Sequence, residues 1–349
     1  MEEKPIMKRR SLPEQIENEQ PSQEERKTSW EVVLSTGSTL LDLAISGTRI
    51  KGGGIPGGIL VEVYGPSGAG KTAILSEVLA SAQARGGKIL FNDPEGRLDR
   101  EYSQIYGMDI DEENYKRPDT VIQAFNFINQ FVSDNHRDPG DPINVVGTDS
   151  LAALSTEMEM TESRDKMGMK RAKDFSQETR RSARLISNSG NLVICSNQVR
   201  EGQMSQEVTP GGKAIPFYSS LRIRVGSVKK MEREIKLESK KAIKKVLGIM
   251  SSCSITKSSL DDPYRSAPIF IRFGYGIDDI QGNLWWLKDI KKDSMFQAPD
   301  GKKFMGLDQA CSYVDKEDEL VRLLREEVIK TWEEIESRFQ VDRRPKRRS

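Results

Sequence analysis

The chain has 349 residues, 36% apolar and 31% charged, a soluble globular balance long enough for one large or two moderate domains. With 54 Lys and Arg against 53 Asp and Glu, any nucleic-acid footprint has to be a local patch. Three scattered cysteines, Cys195, Cys253 and Cys311, suit neither a disulfide framework nor paired zinc ligation, and the single histidine, His136, leaves no Ser/His/Asp hydrolase or histidine-rich metal site. A reducing compartment, the cytoplasm, is expected. The start MEEKPIMKRR lacks an apolar signal core, and no apolar run reaches about 18 residues, so no membrane association is expected.

In chain order, residues 1–34 are charged and proline-punctuated, and read as a polar arm that offers a possible self-association segment. From Gly57 the pattern changes. GILVEVYG reads as a buried strand, TAILSEVLASAQAR as a helix and KILFND as a second strand, and INVVGTDSLAAL and NLVICSN supply two more. Strands alternating with helices predict an α/β fold, a mostly parallel twisted sheet with helices on both faces. The heavily charged stretch KKMEREIKLESKKAIKK follows, then the strand-like CSITKSS and PIFIRFGYG. The expected division is a core over 35–284, a small C-terminal α/β module over 285–341 with the helix EDELVRLLREEVIKTWEEIESRF, and a basic tail over 342–349.

The strongest chemical signal is GPSGAGKT, Gly65 to Thr72, which matches GxxxxGK[ST] between a predicted strand and a predicted helix. Gly65, Pro66, Ser67, Gly68, Ala69 and Gly70 form a loop whose backbone N–H groups cradle phosphates at a helix N-terminus. Lys71 neutralises the terminal phosphate oxygens of ATP, and Thr72 offers a hydroxyl to Mg²⁺. Asp149 is the candidate second ligand on the magnesium side, although Asn144, Gly147 and Thr148 interrupt the apolar strand before it, and Asp149 would equally cap the helix behind it. Hydrolysis also needs a group to activate water. Glu95 and Asp93 both follow the KILFND strand, and spacing alone leaves the choice between them open.

Six blocks in order, STGSTLLDLAISG, GGIPGGILVEVYGPSGAGKT, FNDPEGRLDREYSQIYGMD, TDSLAAL, SNQVR and TPGGKAIPFYSSLRI, resemble the RecA family of bacterial recombination ATPases over roughly residues 35–282. The resemblance implies a RecA-type ATPase core. It makes Glu95 the glutamate that activates water, and Asp99 and Tyr102 the adenine contacts. It makes Gln198 the γ-phosphate sensor and Lys257 a lysine that reaches a neighbouring subunit's ATP.

It also implies two DNA-binding loops, over about 157–184 and 199–213. Residues 164–184 carry eight Lys or Arg against three Asp or Glu, a local basic excess suited to phosphate contacts. Arg171 and Arg180 are the nominated contacts there, with Met167 as an apolar wedge. In the second loop they are Arg200, Met204, Gly211, Gly212 and Lys213, in a polar, glycine-containing segment whose contacts would come from bound DNA.

The chain also departs from the family pattern. The second interface lysine is Ser259, and the expected acidic tail is the basic RRPKRRS. The 229–245 stretch is longer and more basic than the pattern, and the loop behind Gln198 is shorter. The reading is an ATP-dependent recombinase that forms homo-oligomeric filaments on single-stranded DNA and exchanges strands with a homologous duplex, with single-strand-binding or loader proteins as possible partners. A helicase or branch-migration ATPase of the same fold, or a non-catalytic filament accessory, remain the alternatives.

Overall fold

The computed structural model describes residues 32–98, 100–157, 167–201, 207–236 and 242–339. Its central sheet has nine strands: β1 (Ile59–Gly65), β2 (Ile89–Asn92), β3 (Tyr115–Lys116), β4 (Val145–Thr148), β5 (Leu192–Gln198), β6 (Leu221–Lys236), β7 (Ala242–Ser258), β8 (Ser266–Arg272) and β9 (Gly276–Ile277). They lie in the order β9-β8-β7-β6-β1-β5-β4-β2-β3. The pairings from β6 through β1, β5, β4 and β2 to β3 are parallel, and those from β6 through β7 and β8 to β9 are antiparallel.

The helices are α1 (Thr39–Ser46), α2 (Lys71–Ala84), α3 (Arg100–Ile105), α4 (Val121–Asp134), α5 (Met167–Ser189), α6 (Ala214–Tyr218), α7 (Asp279–Lys291), α8 (Leu307–Val314) and α9 (Asp318–Ser337). Because side chains alternate across a strand, the apolar strands feed two cores at once. Val61, Val63, Val145 and Ile194 join the apolar cluster that contains α2's Ile74, Leu75 and Leu79. Leu60, Val146, Val193 and Cys195 join the other, with α4's Phe125 and Ile128 and α5's Phe175 and Ile186.

The sequence pattern of α4 shows why it starts and where it packs. Thr120 is extended and its side chain accepts the Gln123 N–H, which caps the helix. Val121, Ala124, Phe125, Ile128 and Val132 then recur at helical spacing and are buried. The Val, Phe and Ile side chains among them each contribute about 1.5–3 kcal/mol when fully removed from water.

Gly147, which weakened the sequence reading of β4, has a packing role. A Cβ there would stand 2.9 Å from Leu79 Cδ1 and 3.0 Å from Leu75 Cδ2, so its absence lets α2 lie close against the sheet.

Of the charged stretch 229–245, residues 229–236 and 242–245 form the outer ends of β6 and β7, which pair antiparallel, and 237–241 lie outside the described residues. Both faces of this ribbon are largely in solvent, so charged residues predominate on it, and Glu234 lies opposite Lys244 with 3.7 Å between the charged groups. Segment 157–184 is helical from Met167 onward, where Phe175, Thr179, Ser182 and Ile186 form a buried stripe. Residue 285 falls inside α7, whose Leu284 and Leu287 share a cluster with Ala310 and Val314 of α8 and Leu324 and Val328 of α9. Residues 1–31, Asp99, Met204 and the 342–349 tail lie outside the described residues.

Candidate functional site

Parallel strands end on the same edge of a sheet, so the carboxyl ends of β1, β2, β4 and β5 deliver the GPSGAGKT loop, Glu95, Asp149 and Gln198 to one place. A pocket of about 550 Å³ forms there, bordered by Lys71, Thr72, Glu95, Tyr102, Asp149 and Gln198.

Its floor is the glycine loop. Gly70 caps α2 in a left-handed conformation, φ 101° and ψ 18°, and a Cβ on it would stand 2.2 Å from Ile271 Cδ1. Ser251 of β7 donates to the Ala69 carbonyl at 2.8 Å, which ties the loop to the antiparallel part of the sheet. Gly65 and Ala69 are buried, while Pro66, Ser67 and Gly68 are exposed. A Cβ on Gly68 (φ 72°) would meet nothing within 4 Å, so this side of the loop is open to a ligand.

Lys71 begins α2 and donates to the Gly65 and Pro66 carbonyls at 3.1 and 2.8 Å. Burial lowers its ammonium from the ordinary range, and nearby Asp149 and Glu95 oppose that shift. Thr72 donates to Asp149 Oδ2 at 2.6 Å, and the Ser196 hydroxyl donates to Oδ1. Burial raises the Asp149 carboxyl, the Ser196 and Thr72 hydrogen bonds lower it, Glu95 raises it and Lys71 lowers it. A hydroxyl and a carboxylate are hard oxygen donors of the kind Mg²⁺ takes in small number beside substrate phosphates, so Thr72 and Asp149 fit that ion.

The two carboxylates past β2 differ in their surroundings. Asp93 accepts from the Gly96 N–H, the Leu98 N–H and the Tyr115 hydroxyl, each at 2.8 Å, and is almost fully buried. It holds the loop together. Glu95 turns toward the pocket, where its Oε1 accepts from Ser150 at 2.6 Å and its Oε2 pairs with Arg97 at 2.8 Å. Tyr102 is 43% exposed at the pocket and packs on Tyr106 in a T-shaped pair with the ring centroids 5.6 Å apart.

On the opposite face of β5, Asn197 receives the Gln198 N–H at its Oδ1. The Asn197 amide donates to Glu62 at 3.0 Å and to the Pro210 carbonyl at 3.1 Å, where the 199–213 segment returns. Glu62, fully buried, also pairs with Arg222 at 2.6 Å. A Cβ on Gly211 would stand 3.2 Å from the Phe175 ring, and one on Gly212 would stand 3.4 Å from Ala172, so the base of this segment rests on α5.

The other nominated residues are dispersed. Arg200 belongs to the short strand Arg200–Glu201, paired with Glu207–Val208. Met167 opens α5, Arg180 lies on its exposed face, and Lys213 is exposed. Arg171 is half-buried and donates to the Leu151 and Ala152 carbonyls at 3.3 and 2.6 Å. Lys257 lies outside the pocket and donates to the Pro216 and Phe217 carbonyls.

Sequence reasoning passed over Ser150, Ser196, Arg97 and the Phe273–Gly274 turn, all at or beside the pocket. Ser196 was within reach of the pattern, since it stands two places before Gln198 and so shares its face of the strand. Phe273 comes from a distant strand end, for which spacing gave no sign.

Known proteins resemble the chain in the same region. The model of the RecA N-terminal domain matches residues 22–278. Protein RecA of Acholeplasma laidlawii (strain PG-8A) is 32% identical over 307 residues, covering 84% of this chain and 86% of the relative. Protein RecA of Thermus aquaticus is 32% identical over 312 residues, 87% and 86% of the two chains, and that of Symbiobacterium thermophilum is 36% identical over 257, covering 72% and 67%. With a family match spanning most of the chain, and the glycine loop, Asp149 and Gln198 meeting on one sheet edge, the chain belongs to the RecA family.

Proposed function

We propose that this protein is an ATP-dependent recombinase of single-stranded DNA, and that nucleotide state is passed from the pocket to the DNA-facing segments through β5. One observation carries the reading. Gln198 lines the pocket that holds Lys71, Thr72, Asp149 and Glu95, and the next residue begins the segment that returns at Pro210 onto its neighbour Asn197.

In this reading the glycine loop, Gly65 to Gly70, and Lys71 bind the triphosphate, Thr72 and Asp149 hold Mg²⁺, and Tyr102 stacks on the adenine, with Asp99 beside it. Lys71 and Asp149 are each pushed toward neutrality by burial, and a bound phosphate and cation favour their charged forms. Glu95 is the base, because Asp93 is almost fully buried and braces the loop through the Gly96 and Leu98 N–H groups and Tyr115, whereas the partners of Glu95 at the pocket are the side chains of Ser150 and Arg97.

Arg180, Lys213, Arg200 and the Gly211–Gly212 backbone contact DNA phosphates, with Met167 and Met204 against the bases. Arg171 acts through α5, which it fastens to the turn behind Asp149. Lys257 faces the nucleotide of an adjacent subunit in a helical filament. Strand choice comes from base pairing, so phosphate contacts suffice. The ATPase core spans 35–284, followed by the smaller 285–341 unit and the basic tail, and the protein acts on single-stranded DNA and a homologous duplex in the cytoplasm.

The test is a strand-exchange assay between circular single-stranded DNA and a homologous linear duplex, with ATP hydrolysis followed in parallel. Joint molecules that require ATP and homology are expected. Unwinding of a duplex without homologous single strand would favour the helicase reading, and ATP binding with neither product would favour an accessory protein.

A further inference from the structure

The loop that presents Glu95 is restrained on both sides. Asp93 accepts the Gly96 and Leu98 N–H groups, and Tyr115 holds Asp93 in turn. Gly96 is left-handed at φ 63°, and a Cβ there would stand 2.0 Å from Arg117 Nη2, so the Arg117 guanidinium occupies the place of a side chain. With the backbone fixed, the freedom left to Glu95 lies in its own side-chain torsions. Ser150 takes Oε1, and Arg97 takes Oε2 at 2.8 Å across the pocket mouth. The Glu95 side chain is 14% exposed and that of Arg97 77%.

We propose that Arg97 is a positioning residue for ATP hydrolysis, holding the Glu95 carboxylate in the orientation from which it takes a proton from the attacking water. The inference rests on Glu95 being the base. In the step, the water oxygen bonds to the γ-phosphorus and the bond from that phosphorus to the β,γ-bridging oxygen breaks. ADP leaves with the electron pair, and the water proton passes to Glu95. A carboxylate has about four lone-pair sites, so its bonds to Ser150 and Arg97 leave room for that proton. A solvent-screened pair contributes about 1 kcal/mol at most, so its loss costs about fivefold in rate and leaves folding intact.

The experiment compares Arg97→Ala, Arg97→Lys, Glu95→Gln and the Glu95→Gln/Arg97→Ala double variant with the wild-type protein. Steady-state ATP hydrolysis is measured on saturating single-stranded DNA, and affinity for a fluorescent non-hydrolysable ATP analogue is measured separately. Arg97→Ala should lower kcat about fivefold while KM and analogue affinity stay within about twofold. Arg97→Lys should recover most of kcat, and Arg97→Ala should remove nothing further from the residual rate of Glu95→Gln. Wild-type turnover in Arg97→Ala beside a crippled Glu95→Gln overturns the role of Arg97 alone. So does a parallel loss of analogue affinity, which makes Arg97 a nucleotide contact. Wild-type turnover in Glu95→Gln overturns the base assignment and this inference with it.

Discussion

Asp149 carries two hydroxyl donors, Thr72 and Ser196, on separate oxygens, in a setting dry enough to raise its carboxyl. Ser196→Ala removes one hydrogen bond to a charged group, worth about 1.5–3 kcal/mol, and leaves the magnesium donors in place. The expected result is weaker Mg²⁺-dependent nucleotide binding, read as a rise in the Mg²⁺ concentration for half-maximal turnover, with a near-normal rate at saturating Mg²⁺. A second residue-scale prediction concerns Glu77, in α2 behind the pocket. Burial is the main cause that raises its carboxyl to about 7, with Asp279 and Asp42 adding repulsion and the Ile277 N–H opposing. The folded state therefore holds this proton more tightly than the unfolded chain, whose value is 4.5. Its contribution is complete below about pH 4.5 and is lost as pH rises through about 7. Glu77→Gln should leave the urea midpoint unchanged at low pH and raise it at pH 8, by up to about 3 kcal/mol of stability. An equal midpoint at pH 8 would count against the burial argument.

At the level of elements, β5 has two working faces. Ser196 and Gln198 look toward the nucleotide pocket, and Asn197 looks toward the segment that returns at Pro210. The existence of β1, β2, β4 and β5 and the placing of the glycine loop were legible in the sequence, because buried strands leave apolar runs and the loop has a fixed spacing. The β6–β7 hairpin was legible only in part, since strands exposed on both faces carry no apolar signal. Spacing left the choice between Asp93 and Glu95 open and only the family resemblance nominated Glu95, because spacing does not say which loop amides each carboxylate meets. On α5, Lys173, Arg180 and Arg184 recur at helical spacing on the exposed face. Arg180→Ala should weaken single-stranded DNA binding and reduce the slope of log affinity against log salt by about 0.7, measured by fluorescence anisotropy over a salt series. An unchanged slope would place Arg180 off the DNA path.

At the scale of the molecule, the pocket is filled from both halves of the mixed sheet. The parallel strands and the loops after them supply Lys71, Glu95, Asp149 and Gln198, while the antiparallel strands supply Ile249, Ile271 and the Phe273–Gly274 turn. The resemblance stated from six sequence blocks is matched by the family assignment. The packing of α7, α8 and α9 into a cluster shared with the sheet was beyond the sequence pattern, because helical periodicity names a buried face without naming its partner. The proposed role of Gln198 is to join the nucleotide to DNA binding. It is tested most directly by ATP turnover of wild-type protein and Gln198→Ala, each with and without single-stranded DNA. DNA-stimulated turnover is expected in the wild type, and in the variant normal ATP binding with that stimulation lost. Equal stimulation in both proteins, or none in the wild type, would contradict it.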